Sequence, residues 1–199
     1  MMDTLLVATA NPGKAREIAR LLADLPWRVT DLASVPGLPP CAEDQLSFAA
    51  NARQKALHYH QLTSLPTLAD DSGLMVDALD GAPGVHSARY AGEGATDARR
   101  IEKLLRELSR HGSGPHPARF VCAVSFVRYG REWIAVSGEC RGVIIAAPRG
   151  TGGFGYDPVF LVPELQKTFA ELTPQEKAAV SHRGRALARF CRRITQSAF

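Results

Sequence analysis

The sequence predicts an α/β fold with a mixed sheet, divided into two lobes. Three observations carry this. Strand-like and helical segments alternate through the first half of the chain, the pattern of strands linked by helices. Two long strand-like runs, Ala118 to Tyr129 and Glu132 to Ile145, follow each other across Gly130-Arg131 and read as a hairpin. Before them, His111 to Pro117 holds two glycines and two prolines, a break that places one shared chain reversal near residue 112.

Taken in order, Thr4 to Ala8 is a short apolar run that reads as a buried strand. Apolar residues at 15, 18, 19, 21, 22 and 25 then keep the i, i+3, i+4 spacing of an amphipathic helix. Trp27 to Thr30 returns as a strand, and Pro36 to Pro40 is loop. Ser47 to Leu62 is helical, with Phe48, Ala52, Ala56 and Tyr59 on one side. Thr67 to Ala69 and Leu74 to Leu79 read as two strands flanking an acidic pair. Thr96 caps a helix whose Ile101, Leu104, Leu105 and Leu108 form the buried stripe. Thr173-Pro174-Gln175-Glu176 is a capping box with proline at the first helical position, and a basic helix follows from about Arg185.

Composition sets the class. Apolar residues are 45% of 199, enough for an ordinary core and too many for a disordered chain. The net charge of +4 has a local source, since Arg183, Arg185, Arg189, Arg192 and Arg193 cluster without an acid among them. Removing those five charges takes the chain from +4 to −1, which argues against a protein that coats nucleic acid. Cys41, Cys122, Cys140 and Cys191 stand far apart without a CxxC pair, and the two in strand-like apolar runs read as buried thiols in a reducing compartment. The start, Met1-Met2-Asp3-Thr4-Leu5-Leu6-Val7, lacks the basic opening and apolar length of a signal peptide. No run approaches the ~20 apolar residues of a membrane span, so the expectation is a soluble, cytoplasmic protein without a membrane partner.

Four segments can carry chemistry. Thr9-Ala10-Asn11-Pro12-Gly13-Lys14 joins the first strand to the first helix, where backbone N–H groups, the helix's positive end and Lys14 suit an anion. Taken alone, the segment reads more readily as a plain N-cap than as a phosphate site, and it is not a Walker A loop. Asp70-Asp71-Ser72-Gly73 places two carboxylates side by side, which repel unless a cation such as Mg²⁺ or a shared proton relieves them. Solvated aspartates in a turn are the alternative, and Glu43 and Asp44 could add an oxygen ligand. Gly150 to Pro158 interleaves four glycines with Phe154, Tyr156 and Asp157, allowing close backbone approach and an aromatic face for a base. Lys177 with Ser181-His182-Arg183 gathers donors for phosphate or carbonyl oxygen within seven residues. Together they point to a nucleoside triphosphate.

In this order the motifs resemble a known family. Thr-x-Asn-x-x-Lys, Asp-Asp-Ser-Gly-Leu, Gly-Ala-Pro-Gly-x-x-Ser-Ala-Arg-Tyr (Gly81 to Tyr90), Gly-Thr-Gly-Gly-Phe-Gly-Tyr-Asp-Pro and Ser-His-Arg are those of the inosine triphosphate pyrophosphatase family, from about residue 4 to 190. The resemblance implies an elongated mixed sheet flanked by helices, and one domain over 1–199 with two lobes and a deep cleft between them. It also implies a homodimer that hydrolyses dITP, ITP and XTP to monophosphate and pyrophosphate with Mg²⁺, with no nucleic-acid partner. By the same resemblance, Thr9, Ala10, Asn11, Pro12, Gly13 and Lys14 bind the triphosphate. Asp71 is general base and metal ligand, Glu43 a second metal contributor, and Ser72 touches the nucleotide. Phe154, Gly155, Tyr156, Asp157, Lys177, His182 and Arg183 hold the base and sugar. One departure stands out. The family's Phe-x-Glu-Asn-Ala reads Phe48-Ala49-Ala50-Asn51-Ala52 here, so a carboxylate expected near metal and phosphate is absent. Rival readings are a pyrophosphatase for other modified nucleotides and a nucleic-acid-binding module built on the arginine-rich helix.

Overall fold

In the computed structural model, which describes residues 3–197, strand β1 (Thr4–Val7) is an apolar run with Leu5, Leu6 and Val7 all buried. A strand covered on both faces needs no polar alternation. Met1 and Met2, part of the start read above, lie outside the described residues, as do Ala198 and Phe199. Helix α1 (Pro12–Leu21) leads to β2 (Arg28–Asp31), which pairs parallel with β1 from Thr4↔Arg28 to Val7↔Asp31. Helix α2 (Phe48–Thr63) precedes β3 (Thr67–Val76), parallel to β1 through Leu6↔Thr67 and Val7↔Leu68. After α3 (Asp97–Leu108) come β4 (His116–Arg128), β5 (Arg131–Ile144), β6 (Phe160–Val162) and β7 (Lys167–Thr168). Helices α4 (Pro174–Val180) and α5 (His182–Ser197) close the chain. The sheet order is β2-β1-β3-β4-β5-β6-β7, and β6 runs antiparallel to both β5 and β7. The mixed sheet and the α/β class are as expected.

The chain forms two compact units. The first comprises residues up to Asp71, Cys122–Gly138 and those from His182 onward; the second comprises Ser72–Val121 and Glu139–Ser181. The expected single reversal near residue 112 is therefore corrected: the chain passes between units at four places, and Gly112 lies in a connection inside the second unit. In the first unit, Leu5, Val7, Leu68, Cys122, Val124 and Phe126 pack under Ile18 of α1, its C-cap Leu22, and Leu187 and Phe190 of α5. Leu6, Ala8, Ala69 and Val127 pack under Ala56 and Tyr59 of α2. The second unit's core joins Leu74, Val76, Phe120, Phe160 and Phe169 to the α3 stripe of Ile101, Leu104 and Leu108.

Three other boundaries differ from the sequence reading. β3 is one continuous strand through Asp70 and Asp71, not two strands flanking them. The β4–β5 connection is Tyr129-Gly130, both with positive φ (53° and 73°), the conformation of a two-residue hairpin turn. Helix α5 begins at His182, three residues before the expected start, because Ser181 is the only residue that separates it from α4.

Candidate active site

Asn11 sits between β1 and α1 with extended backbone, and its Oδ1 accepts from the N–H groups of Gly13 (2.8 Å) and Lys14 (3.1 Å). Thr9 is buried, and its Oγ1 accepts from Asn11 N–H at 3.2 Å. Asn11 is thus the N-cap, with Pro12 in the first turn. Ala10, Asn11 and Pro12 are exposed and Gly13 is buried. Lys14 projects from this turn to within 3.3 Å of Asp70 Oδ2.

Successive residues on a strand face opposite ways, and β3 uses this to separate its two carboxylates. Asp70 shares the face of Leu68, under α1 and α5; Asp71 shares that of Ala69, under α2. Asp70 Oδ2 accepts from Arg183 Nε (3.3 Å) and Nη2 (3.2 Å), and Arg183 Nη1 donates to Glu17 Oε2 at 2.5 Å. Burial pushes the Asp70 carboxyl up, but Lys14, Arg183 and Lys55 outweigh it and hold the group well below the usual carboxylate range. Beside it, burial pushes the Cys122 thiol up to about 12, which makes it an inert core residue.

Asp71 behaves oppositely. Burial raises its carboxyl, Glu43 adds to this, and the opposing pull of Lys14, Lys55 and Asn51 does not cancel it. Asn51, 1% exposed, donates from Nδ2 to Asp71 Oδ2 at 3.0 Å, and its Oδ1 accepts from Gln45 N–H at 3.0 Å. Lys55 is buried and pairs with Glu43 at 2.7 Å. Its ammonium is raised: burial works against the charge, but Asp70, Glu43 and Asp71 overcome it. One carboxylate locked in its charged form beside one pushed toward protonation is how adjacent acids come to differ in role. The first unit therefore brings together Lys14, Glu43, Asp70, Asp71 and Arg183 with Asn51 and Lys55, whose i, i+4 spacing on α2 marks them in the sequence, and adds Glu17, which nothing local marks.

In the second unit, Asp157 Oδ2 accepts from Phe154 N–H (2.8 Å) and from Lys177 Nζ (2.5 Å). This close return requires Gly153: a Cβ there would lie 2.0 Å from Asp157 Oδ2, and its φ is +74°. Lys177 is buried, with Nζ 4.8 Å from the centre of the half-buried Phe154 ring. The Thr173/Glu176 capping box read from the sequence is present and starts the helix that carries Lys177.

Two of the expected site residues have structural partners as well. The Tyr156 ring is buried in the second unit's core and its OH donates to Ser87 O at 2.9 Å. Arg183 is 2% exposed, and its guanidinium serves Asp70 and Glu17, because a fully buried carboxylate requires a buried cation. His182 is buried in the first turn of α5, and its carbonyl lies so close to β5 that a Cβ at Gly138 would come within 2.3 Å of it. Ser72 is half-buried on β3. Asp97, absent from the sequence reading, accepts from Gly155 N–H at 2.6 Å.

Known proteins resemble this chain over nearly its whole length. A dITP/XTP pyrophosphatase of Geobacter sulfurreducens is 51% identical over 187 residues, covering 94% of each chain. One of Geobacillus kaustophilus is 50% identical over 95% of this chain and 93% of its own. The structure of a HAM1 protein from Coxiella burnetii superposes with a TM-score of 0.88 at 41% identity, covering 98% of this chain and all of that one. The Ham1 family model matches residues 5–193, and with these identities the chain belongs to the Ham1 family.

Proposed function

We propose that this chain hydrolyses non-standard purine nucleoside triphosphates, namely dITP, ITP and XTP, to the monophosphate and pyrophosphate. The observation that carries the reading is the divided acidic pair, with Lys14 and Lys55 within electrostatic reach of both members. The names of the relatives from Geobacter and Geobacillus support the substrate class.

Mg²⁺ fits the donor set. Asp71 and Glu43 are hard oxygen donors that feel each other's charge. Among the described residues no three metal-ligating side chains gather, which suits an ion that takes one or two carboxylates and finds further oxygens on substrate phosphates. When bound, such an ion supplies positive charge against the phosphate oxygens. The chain's own residues do the rest. Asp71 orients the water that attacks the α-phosphorus and takes its proton. Lys14 and Lys55 stabilise the negative charge that builds on the pyrophosphate leaving group. Thr9 to Lys14 bind the phosphates, and Ser72 touches the nucleotide. Phe154, Gly155, Asp157, Lys177 and His182 hold the base and sugar. Donors there suit the 6-keto oxygen of hypoxanthine and xanthine and oppose the 6-amino group of adenine.

The reading extends to a homodimer in the cytoplasm. None of the four cysteines forms a disulfide, and no helix among the described residues is long and apolar enough to cross a membrane. Pyrophosphate release from dITP, ITP, XTP, dGTP and dATP with Mg²⁺ tests the function. The expected efficiency on dITP and XTP exceeds that on dATP by about 100-fold or more, as for a site whose donors would otherwise go unpaired. Equal rates across the panel, or none, would overturn it.

A further inference from the structure

The loop of Gly150 to Pro158 is tied down at two consecutive amides, by two different aspartates. Phe154 N–H donates to Asp157 Oδ2 inside the loop, and Gly155 N–H donates at 2.6 Å to Asp97 Oδ2. Asp97 is the first residue of α3, directly after the N-cap Thr96, whose Oγ1 accepts from Arg99 N–H. Its other oxygen accepts from Arg100 Nη2 at 2.6 Å, and Arg100 Nη1 donates to Ala88 O at 2.5 Å. The carboxylate is therefore oriented from both sides. It presents one fixed acceptor to the loop.

This contact addresses a specific mechanical problem. Gly150, Gly153 and Gly155 all have positive φ, so the backbone on either side of Phe154 is the most permissive kind. Tyr156, two residues on, is anchored through its buried OH. Between these glycines, the direction of the Phe154 ring depends on what fixes the Phe154 and Gly155 amides. A charged acceptor on a helix of twelve residues is a rigid support for the second of these.

We propose that Asp97 is a positioning residue for purine selection: through the Gly155 amide it sets the Phe154 ring. It acts on base discrimination and not on phosphate cleavage. The inference rests on the reading of Phe154 and its neighbours as the base-holding residues.

The test measures kcat and KM for dITP, XTP and dGTP, together with Tm, on four variants. Asp97→Ala is expected to raise KM for dITP and XTP about tenfold with kcat within threefold, and to lower the dITP-to-dGTP efficiency ratio by a similar factor. Asp97→Asn, which keeps the shape and weakens the acceptor, should move the same quantities less, and stands in if the alanine variant does not fold. Thr96→Ala removes the cap of the same helix without touching Gly155, so it should lower Tm and leave KM and the ratio unchanged. Phe154→Ala should erode discrimination by itself, and adding Asp97→Ala to it should lower the ratio no further. If Phe154→Ala leaves the ratio intact, the base-holding reading fails, and the proposal with it. If Phe154→Ala erodes the ratio while both Asp97 variants behave like Thr96→Ala, the positioning role alone is overturned.

Discussion

Asp70 and Asp71 are chemically identical neighbours whose surroundings give them opposite contributions to stability. For Asp70 the folded-state pKa lies below the unfolded value, so its contribution is present above the unfolded pKa and is lost as pH falls through the folded one. For Asp71 the folded pKa is raised, so ionisation opposes folding, and stability falls as pH rises through it. Two substitutions at adjacent positions should then differ in sign. Asp70→Asn leaves Arg183 and Lys14 facing an uncharged group and is expected to cost about 3–5 kcal/mol. Asp71→Asn should reduce turnover about 10²–10⁴-fold while leaving the melting temperature unchanged or higher. Thermal melts at neutral pH beside single-substrate assays check both, and a destabilised Asp71→Asn would contradict the assignment. In the metal-free protein the Asp71 carboxyl should titrate above the range of an ordinary aspartate. Asn51→Ala removes a hydrogen bond that favours the charged form, so it should move that titration higher still. Local pattern made the pair legible but could not divide it. The dividing groups come from positions 14, 55 and 183, which only the fold brings near Asp70.

At the scale of elements, amphipathic helices and their caps were the most legible features, since each is a local rule. Thr96, Thr173 and the α3 stripe all lie where periodicity places them. β3 was misread because a charged pair inside a strand argues for a break unless buried cations await it. The basic helix α5 supports a rival nucleic-acid-binding reading in the sequence, yet its arginines have structural uses. Arg189 donates to Ser137 O at 2.6 Å and Arg193 to Ala135 O at 3.3 Å, along the part of β5 that precedes its ladder with β6. Guanidinium groups over strand carbonyls blunt an edge. Ala50, which stands where the family carries glutamate, occupies the third position of α2, and its N–H donates to the cap Ser47 at 3.2 Å. A glutamate at that position would complete a capping box with Ser47. Ala50→Glu is therefore expected to stabilise by about 0.3–1 kcal/mol, a rise of roughly 1–4 °C in Tm. The Mg²⁺ concentration for half-maximal activity should stay unchanged. A magnesium titration at fixed dITP checks this, and a lowered requirement would show that the carboxylate reaches the metal site.

For the molecule as a whole, the four chain passages between units have a thermodynamic consequence. β3, β4 and β5 each begin in one unit and end in the other, so neither unit is a contiguous stretch that could fold from its own segment. Melting one unit would leave three strands half-ordered, with backbone groups in the intact halves deprived of continuing ladders. Unfolding should accordingly be a single cooperative transition despite three separate apolar clusters. The sequence supplies a unit-specific probe. Both tryptophans, Trp27 and Trp133, belong to the first unit, where Trp27 stacks on Phe126 at 5.4 Å between ring centres. Tryptophan fluorescence therefore reports the first unit alone, whereas far-UV circular dichroism reports helices of both. In a urea titration the two signals should give the same midpoint and the same slope. Fluorescence changing at a separate urea concentration from the dichroism would mean that the units melt independently and that the shared strands do not couple them.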